Sequence, residues 1–110
     1  GEYEVVVDTE LFDGSLSIGE LALAGESDDE VLFSTHCCHP SLANDNLSGM
    51  VVATALAARL AARPRRRLSY RFLFLPGTIG AIAWLATNRE RRARIRHALV
   101  LAGVGGRVPW

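Results

Sequence analysis

The feature that most restricts this chain is an alternation of short apolar runs with longer alanine-rich ones, each bounded by turn residues. Val31-Leu32-Phe33-Ser34-Thr35 and Leu68-Ser69-Tyr70-Arg71-Phe72-Leu73-Phe74-Leu75 are rich in branched and aromatic residues, the pattern of strands buried inside a sheet. Between them, Leu47 to Ala62 is almost continuously apolar and free of proline, which predicts a largely buried helix ending before Pro64. A second helix is expected from Thr78, as its N-cap, to about Arg94, with Ile79, Ile82, Ala83 and Leu85 on the apolar side. His97 to Leu101 reads as a last strand, followed by a Gly103-Val104-Gly105-Gly106 loop. Upstream, Glu4 to Leu11 and Leu16 to Leu23 read as two strands joined at Asp13-Gly14-Ser15. The expected fold is therefore α/β, an N-terminal β-hairpin followed by parallel β-α-β-α-β with right-handed crossovers, in one domain over residues 1–110.

At 110 residues, 49% apolar and 22% charged, the chain has the balance of a globular domain, which excludes disorder, collagen-like repeats and coiled coil. Its longest uncharged run, Phe72 to Asn88, is broken by Pro76, Gly77 and Gly80 and is too short to span a bilayer. The start, Gly1-Glu2-Tyr3-Glu4, is acidic where a signal peptide is basic and then apolar. The two cysteines, Cys37 and Cys38, are adjacent and could close only a strained disulfide. A reducing, cytoplasmic setting is the expectation.

The formal charge of zero conceals a division along the chain. Ten acids lie between Glu2 and Glu30, with Asp45 after them, whereas all twelve arginines fall between Arg59 and Arg107, and lysine is absent. Arginine clusters can bind phosphate, but most basic clusters are solvated faces. In the expected topology Arg63–Arg67 and Arg89–Arg96 fall at helix ends, where positive charge opposes the negative end of the helix dipole. The two halves are expected to neutralise one another, with no nucleic-acid partner.

The segment after the first buried strand carries the chemistry. Thr35-His36-Cys37-Cys38-His39-Pro40-Ser41-Leu42-Ala43-Asn44-Asp45-Asn46 holds two of the three histidines, both cysteines and the only acid between Glu30 and Glu90. Imidazole, thiolate and carboxylate are the donors zinc prefers, and the carboxyl edge of a parallel sheet is where α/β proteins place ligand sites. The plainer reading makes Asp45 and Asn46 helix caps and the cysteines small buried groups. No Gly-x-Ser-x-Gly nucleophile elbow occurs, and the glycines after Gly103 lack the third glycine and the helix of a dinucleotide-binding loop.

His36, nine residues before Asp45 in Asp45-Asn46-Leu47-Ser48-Gly49, resembles the co-catalytic zinc aminopeptidases. Asp13-Gly14-Ser15-Leu16, Gly19-Glu20, Thr35-His36 with Cys38-His39-Pro40-Ser41, Asn44-Asp45-Asn46 and Pro76-Gly77-Thr78-Ile79-Gly80 together resemble a bacterial aminopeptidase-like branch, often described as polysaccharide-biosynthesis proteins. The resemblance implies a three-layer sandwich, zinc as cofactor, metal binding by His36, bridging of two ions by Asp45, and His39 as a further ligand. It implies a hydrolase that attacks an aminoacyl amide bond with metal-activated water, on a peptide or small aminoacyl substrate. Members are much longer, so the chain is expected to be a fragment.

Two positions depart from that pattern. Cys38 stands where an acid would orient the histidine from behind. Pro76-Gly77 stands where a glutamate pair would supply the general base and a ligand, so no catalytic residue is assigned. The alternative expectation is a degenerate peptidase-fold domain that binds or scaffolds.

Overall fold

The computed structural model describes residues 1–106. Strands β1 (Gly19–Leu23), β2 (Glu30–His36), β3 (Ser69–Leu75) and β4 (Ile95–Val100) form one mixed sheet in the order β1-β3-β2-β4. β2 runs parallel to both β3 and β4, whereas β1 is antiparallel to β3. Helix α1 (Gly49–Ala61) links β2 to β3, and α2 (Ile79–Thr87) with the short α3 (Arg89–Arg92) links β3 to β4. The fold is α/β, with the parallel β-α-β-α-β core that the alternation of runs predicts.

Period-two alternation along the strands gives the sheet two apolar faces. On one, Phe72 is fully buried beneath Ala53 and Ala57 of α1, with Phe33, Tyr70 and Phe74 beside it. Two alanines four residues apart let the helix backbone approach the stacked rings of Phe33 and Phe72, whose centroids are 4.9 Å apart. On the other face Leu32, Leu73 and Leu75 pack against Trp84 of α2.

The hairpin expected at the N-terminus does not form. Residues 1–18 carry neither helix nor strand, and β1 takes β3 as its partner instead of the segment 4–11. Val5, Val6, Val7 and Leu11 are 74–99% exposed, so a strand there would have no apolar face to bury, and a two-stranded ribbon without one is marginal. The helix expected from Thr78 to Arg94 breaks at Asn88, whose side-chain amide donates to the Trp84 carbonyl. Thr78 occupies the N-cap position with φ 55° and makes no capping hydrogen bond. The turn from Pro76, closed by the Gly80 amide donating to the Pro76 carbonyl, holds Thr78 outside the extended conformation a capping side chain needs.

The opposed charges meet at the amino edge of the parallel strands. The acidic loop before β2 pairs with an arginine that follows α1 and one at the start of β4, Glu26 with Arg65 at 2.7 Å and Asp29 with Arg96 at 2.8 Å. Arg66 donates to the Leu60 and Arg63 carbonyls at the end of α1. One arginine behaves differently. Arg71 in β3 is buried on the α2 face, where Glu30 grips it through two hydrogen bonds of 2.6 and 2.7 Å. Glu20 of β1 also accepts from Arg71, and its second oxygen takes the Trp84 indole N–H at 2.9 Å. No described helix is long and apolar enough to cross a membrane.

Candidate metal centre

β2 ends at His36, on the carboxyl edge of the sheet. The chain then loops outward and returns through a wide turn, Asn44–Ser48, before entering α1. This path brings Asp45 against the strand end. The His36 Nε2–H donates to Asp45 Oδ1 at 2.7 Å, and His39 Nε2 lies 3.4 Å from Asp45 Oδ2. The three residues named from sequence are therefore adjacent. Neither Asp45 nor Asn46 caps α1; Ser48 holds that position without a side-chain hydrogen bond. Asp45 is instead turned toward the imidazoles, and their hydrogen bonds, His36 first, hold its carboxyl below the usual carboxylate range. It stays an anion, the form in which it can bind a metal.

What fixes this edge is Asn46, a residue that sequence reading takes only for a cap. Its side chain is fully buried. The amide nitrogen donates to Thr35 Oγ1 at 2.8 Å, the His36 carbonyl at 2.9 Å and the Leu101 carbonyl at 3.2 Å, while its oxygen accepts from the Gly103 amide at 3.1 Å. Thr35 Oγ1 in turn donates to Leu101. One side chain thus clamps the end of β2, the exit of β4 and the entry to α1. Gly49 is needed for the same closure, since a Cβ there would lie 2.3 Å from the Leu101 carbonyl oxygen. Thr35→Val should keep the volume but remove one donor and one acceptor from this network. A loss of about 1–3 kcal/mol in chemical denaturation is expected.

Beside His36 lies an open cavity of about 360 Å³, bordered by Cys38, Gly77, Thr78, Ala81 and Val100. The Gly77 amide points at Cys38 Sγ, 3.1 Å away. The two departures from the two-zinc pattern are thus neighbours in space, and Gly77 offers no side chain toward the histidine. Glu90 lies on α3, before β4 begins, and His97 is level with Val31 near the start of β2. Both are distant from the carboxyl edge.

In donor chemistry His36, Asp45 and His39 suit zinc. In number they fall short, because no group of three or more histidine, cysteine or acidic side chains among the described residues closes around one point where an ion could sit. The chain presents part of a ligand set.

A family model described as "Domain of unknown function (DUF4910)" matches residues 5–109. The chain belongs to the DUF4910 family. A Clostridium acetobutylicum protein named "Putative polysaccharide biosynthesis protein with aminopeptidase-like domain" is 47% identical over 104 residues, covering 94% of this chain and 24% of the relative. A crystal structure described as that of a "putative peptidase", also from Clostridium acetobutylicum, superposes with a TM-score of 0.78 at 43% identity, over 82% of this chain and 21% of that one. This DUF4910 chain has a peptidase-like fold and spans about a quarter of the length of the relatives it matches.

Proposed function

We propose that this chain carries part of the metal centre of a zinc-dependent, aminopeptidase-like hydrolase. The observation that supports it best is the meeting of His36 Nε2 and an Asp45 oxygen at 2.7 Å, at the carboxyl edge of a peptidase-like sheet. His36 and Asp45 would hold zinc, with His39 reaching the same carboxylate. Zinc, when bound, supplies Lewis acidity that polarises an amide carbonyl and lowers the pKa of water.

The remaining work falls to protein groups. Asp45 stays ionised between two imidazoles and brings the negative charge a cation needs. Asn46 and Thr35 hold the strand end and the turn in register, so that neither ligand has to be ordered when the metal enters. The cavity beside His36 is open enough to admit the end of a peptide or a small aminoacyl compound, the substrate class this reading assigns. The arginines that meet Glu26, Asp29 and Glu30 have partners within the domain, and the reading assigns them no nucleic-acid or membrane partner.

A second reading is favoured by one observation. Gly77 has no side chain where the resemblance implies a general base, which suits a domain that keeps the fold and a metal but does not hydrolyse. Zinc content and hydrolysis of aminoacyl amides, both measured on the full-length protein, separate the two. Zinc together with hydrolysis supports the hydrolase, and zinc without hydrolysis of any aminoacyl amide supports the binding domain. Absence of zinc removes the basis of both.

A further inference from the structure

We infer that the acidic arm ahead of β1 is exchanged between two copies of the protein, residues 4–11 of one copy adding as a strand to the open edge of β4 in the other. The arm has the pattern of a strand whose partner is missing. Tyr3, Val5, Val7 and Leu11 fall at odd positions, whereas Glu4, Asp8 and Glu10 fall at even ones. Extended, such a segment has one apolar face and one mainly acidic face. Val5, Val7 and Leu11 are exposed, so the apolar face covers nothing in its own chain. The arm also stands clear of the body. The radius of gyration is 17.7 Å and the longest dimension 65 Å, where a compact chain of this length has a radius of about 13 Å.

β4 offers what this segment lacks. It pairs with β2 alone, and an edge strand leaves a row of backbone N–H and C=O groups open along its outer side. Between β4 and α2 lies an apolar trough of about 160 Å³, bordered by Leu73, Trp84, Leu85, Ala98 and Val100. Val100 is 74% exposed, so the trough is uncovered at the strand edge. A strand laid along β4 with its apolar positions toward α2 closes it. Charge selects the same edge. Residues 1–18 hold five acids and no cation, whereas residues 19–106 hold eleven arginines against seven acids. Five of those arginines lie between Arg89 and Arg96, on α3 and the entry to β4. The outer edge of β1 leads instead into the acidic loop of residues 24–29, which repels such an arm.

The topology points to a second copy. The arm joins β1 at the carboxyl edge, with β3 and β2 between it and β4. Within one chain it would have to cross that edge over the cavity beside His36. In a pair related by a twofold axis each copy gives its arm and receives the other, so the two contacts are identical and the assembly closes. Main-chain hydrogen bonds then supply affinity, and the alternate side chains supply specificity.

The test uses the full-length protein. Light scattering should find a dimer, and the double variant Val5→Asp with Val7→Asp should raise its dissociation constant at least tenfold. Val100→Asp, which sets an acid in the trough against an acidic arm, should do the same. All three positions are exposed, so circular dichroism should be unchanged. A photo-crosslinking amino acid at position 7, in a mixture of isotopically light and heavy copies, should join light chains to heavy ones through β4 or α2. Cross-links confined to single chains would overturn the second copy as occupant, and a monomeric wild type would do likewise. A dimer indifferent to both variants would be held together elsewhere and would overturn the exchange. None of these readouts depends on whether zinc is bound.

Discussion

In the full-length protein, His36→Ala and Asp45→Ala are each expected to strip bound zinc to background. Both residues present donor atoms at the carboxyl edge, in direct contact with one another at 2.7 Å. Loss of a group that merely supports a ligand costs about 10–100-fold in metal affinity, and loss of the ligand itself should exceed that. Asp45→Asn is the sharper variant. It preserves shape and removes the charge, and because Asp45 is 65% exposed its loss leaves no buried hole. Zinc content by atomic emission, with circular dichroism to confirm the fold, reads the result. Unchanged zinc in both alanine variants would remove the ground for placing the metal here.

The second large effect lies away from the metal. Arg71→Met should destabilise the domain by about 3–5 kcal/mol, because it leaves the Glu30 carboxylate inside the sheet without its bidentate partner. Glu20 would lose a donor in the same step, and only Trp84 and Arg91 would still hold it. The charge-free control Arg71→Met with Glu30→Leu should recover most of the loss, since replacing both members of a buried pair with apolar groups is often neutral. Urea denaturation of the two variants measures this. A double variant as unstable as Arg71→Met alone would mean that the pair is not what the stability depends on.

Some of this architecture is legible in the amino acids and some is not, for physical reasons that differ by element. β2 and β3 announce themselves because they are largely buried, and burial imposes continuous apolar runs at strand length. The expectation of a largely buried α1 is corrected, since only Gly49, Ala53 and Ala57 of that helix are buried and its other apolar residues stay partly or wholly exposed. The stretch from Glu4 to Leu11 has the same branched residues but no partner. Propensity records what a segment can do, whereas a strand also needs a neighbour and a face to cover. Arg71 is hidden for the opposite reason, since a lone charge in a strand reads as solvent-facing and its partners lie 41 and 51 residues away. At the site, His36 and Asp45 can be found from donor type and spacing. Asn46 cannot, because an asparagine before a helix reads as a local cap while its partners here are at the far ends of two strands.

That clamp also dictates when the ligands can come together. Asn46 is tied to Leu101 and Gly103 across sequence separations of 55 and 57 residues, so the turn carrying Asp45 cannot settle against His36 until β4 has docked beside β2. On a ribosome, a polypeptide ending before Ile95 would already contain His36, His39 and Asp45 and still lack the strand that sets their spacing. Nonlocal closures of this kind are late events in folding. The imidazoles therefore stay loose until β4 and the turn at Gly103 have been made, and the pairing of His36 with Asp45 waits for that docking.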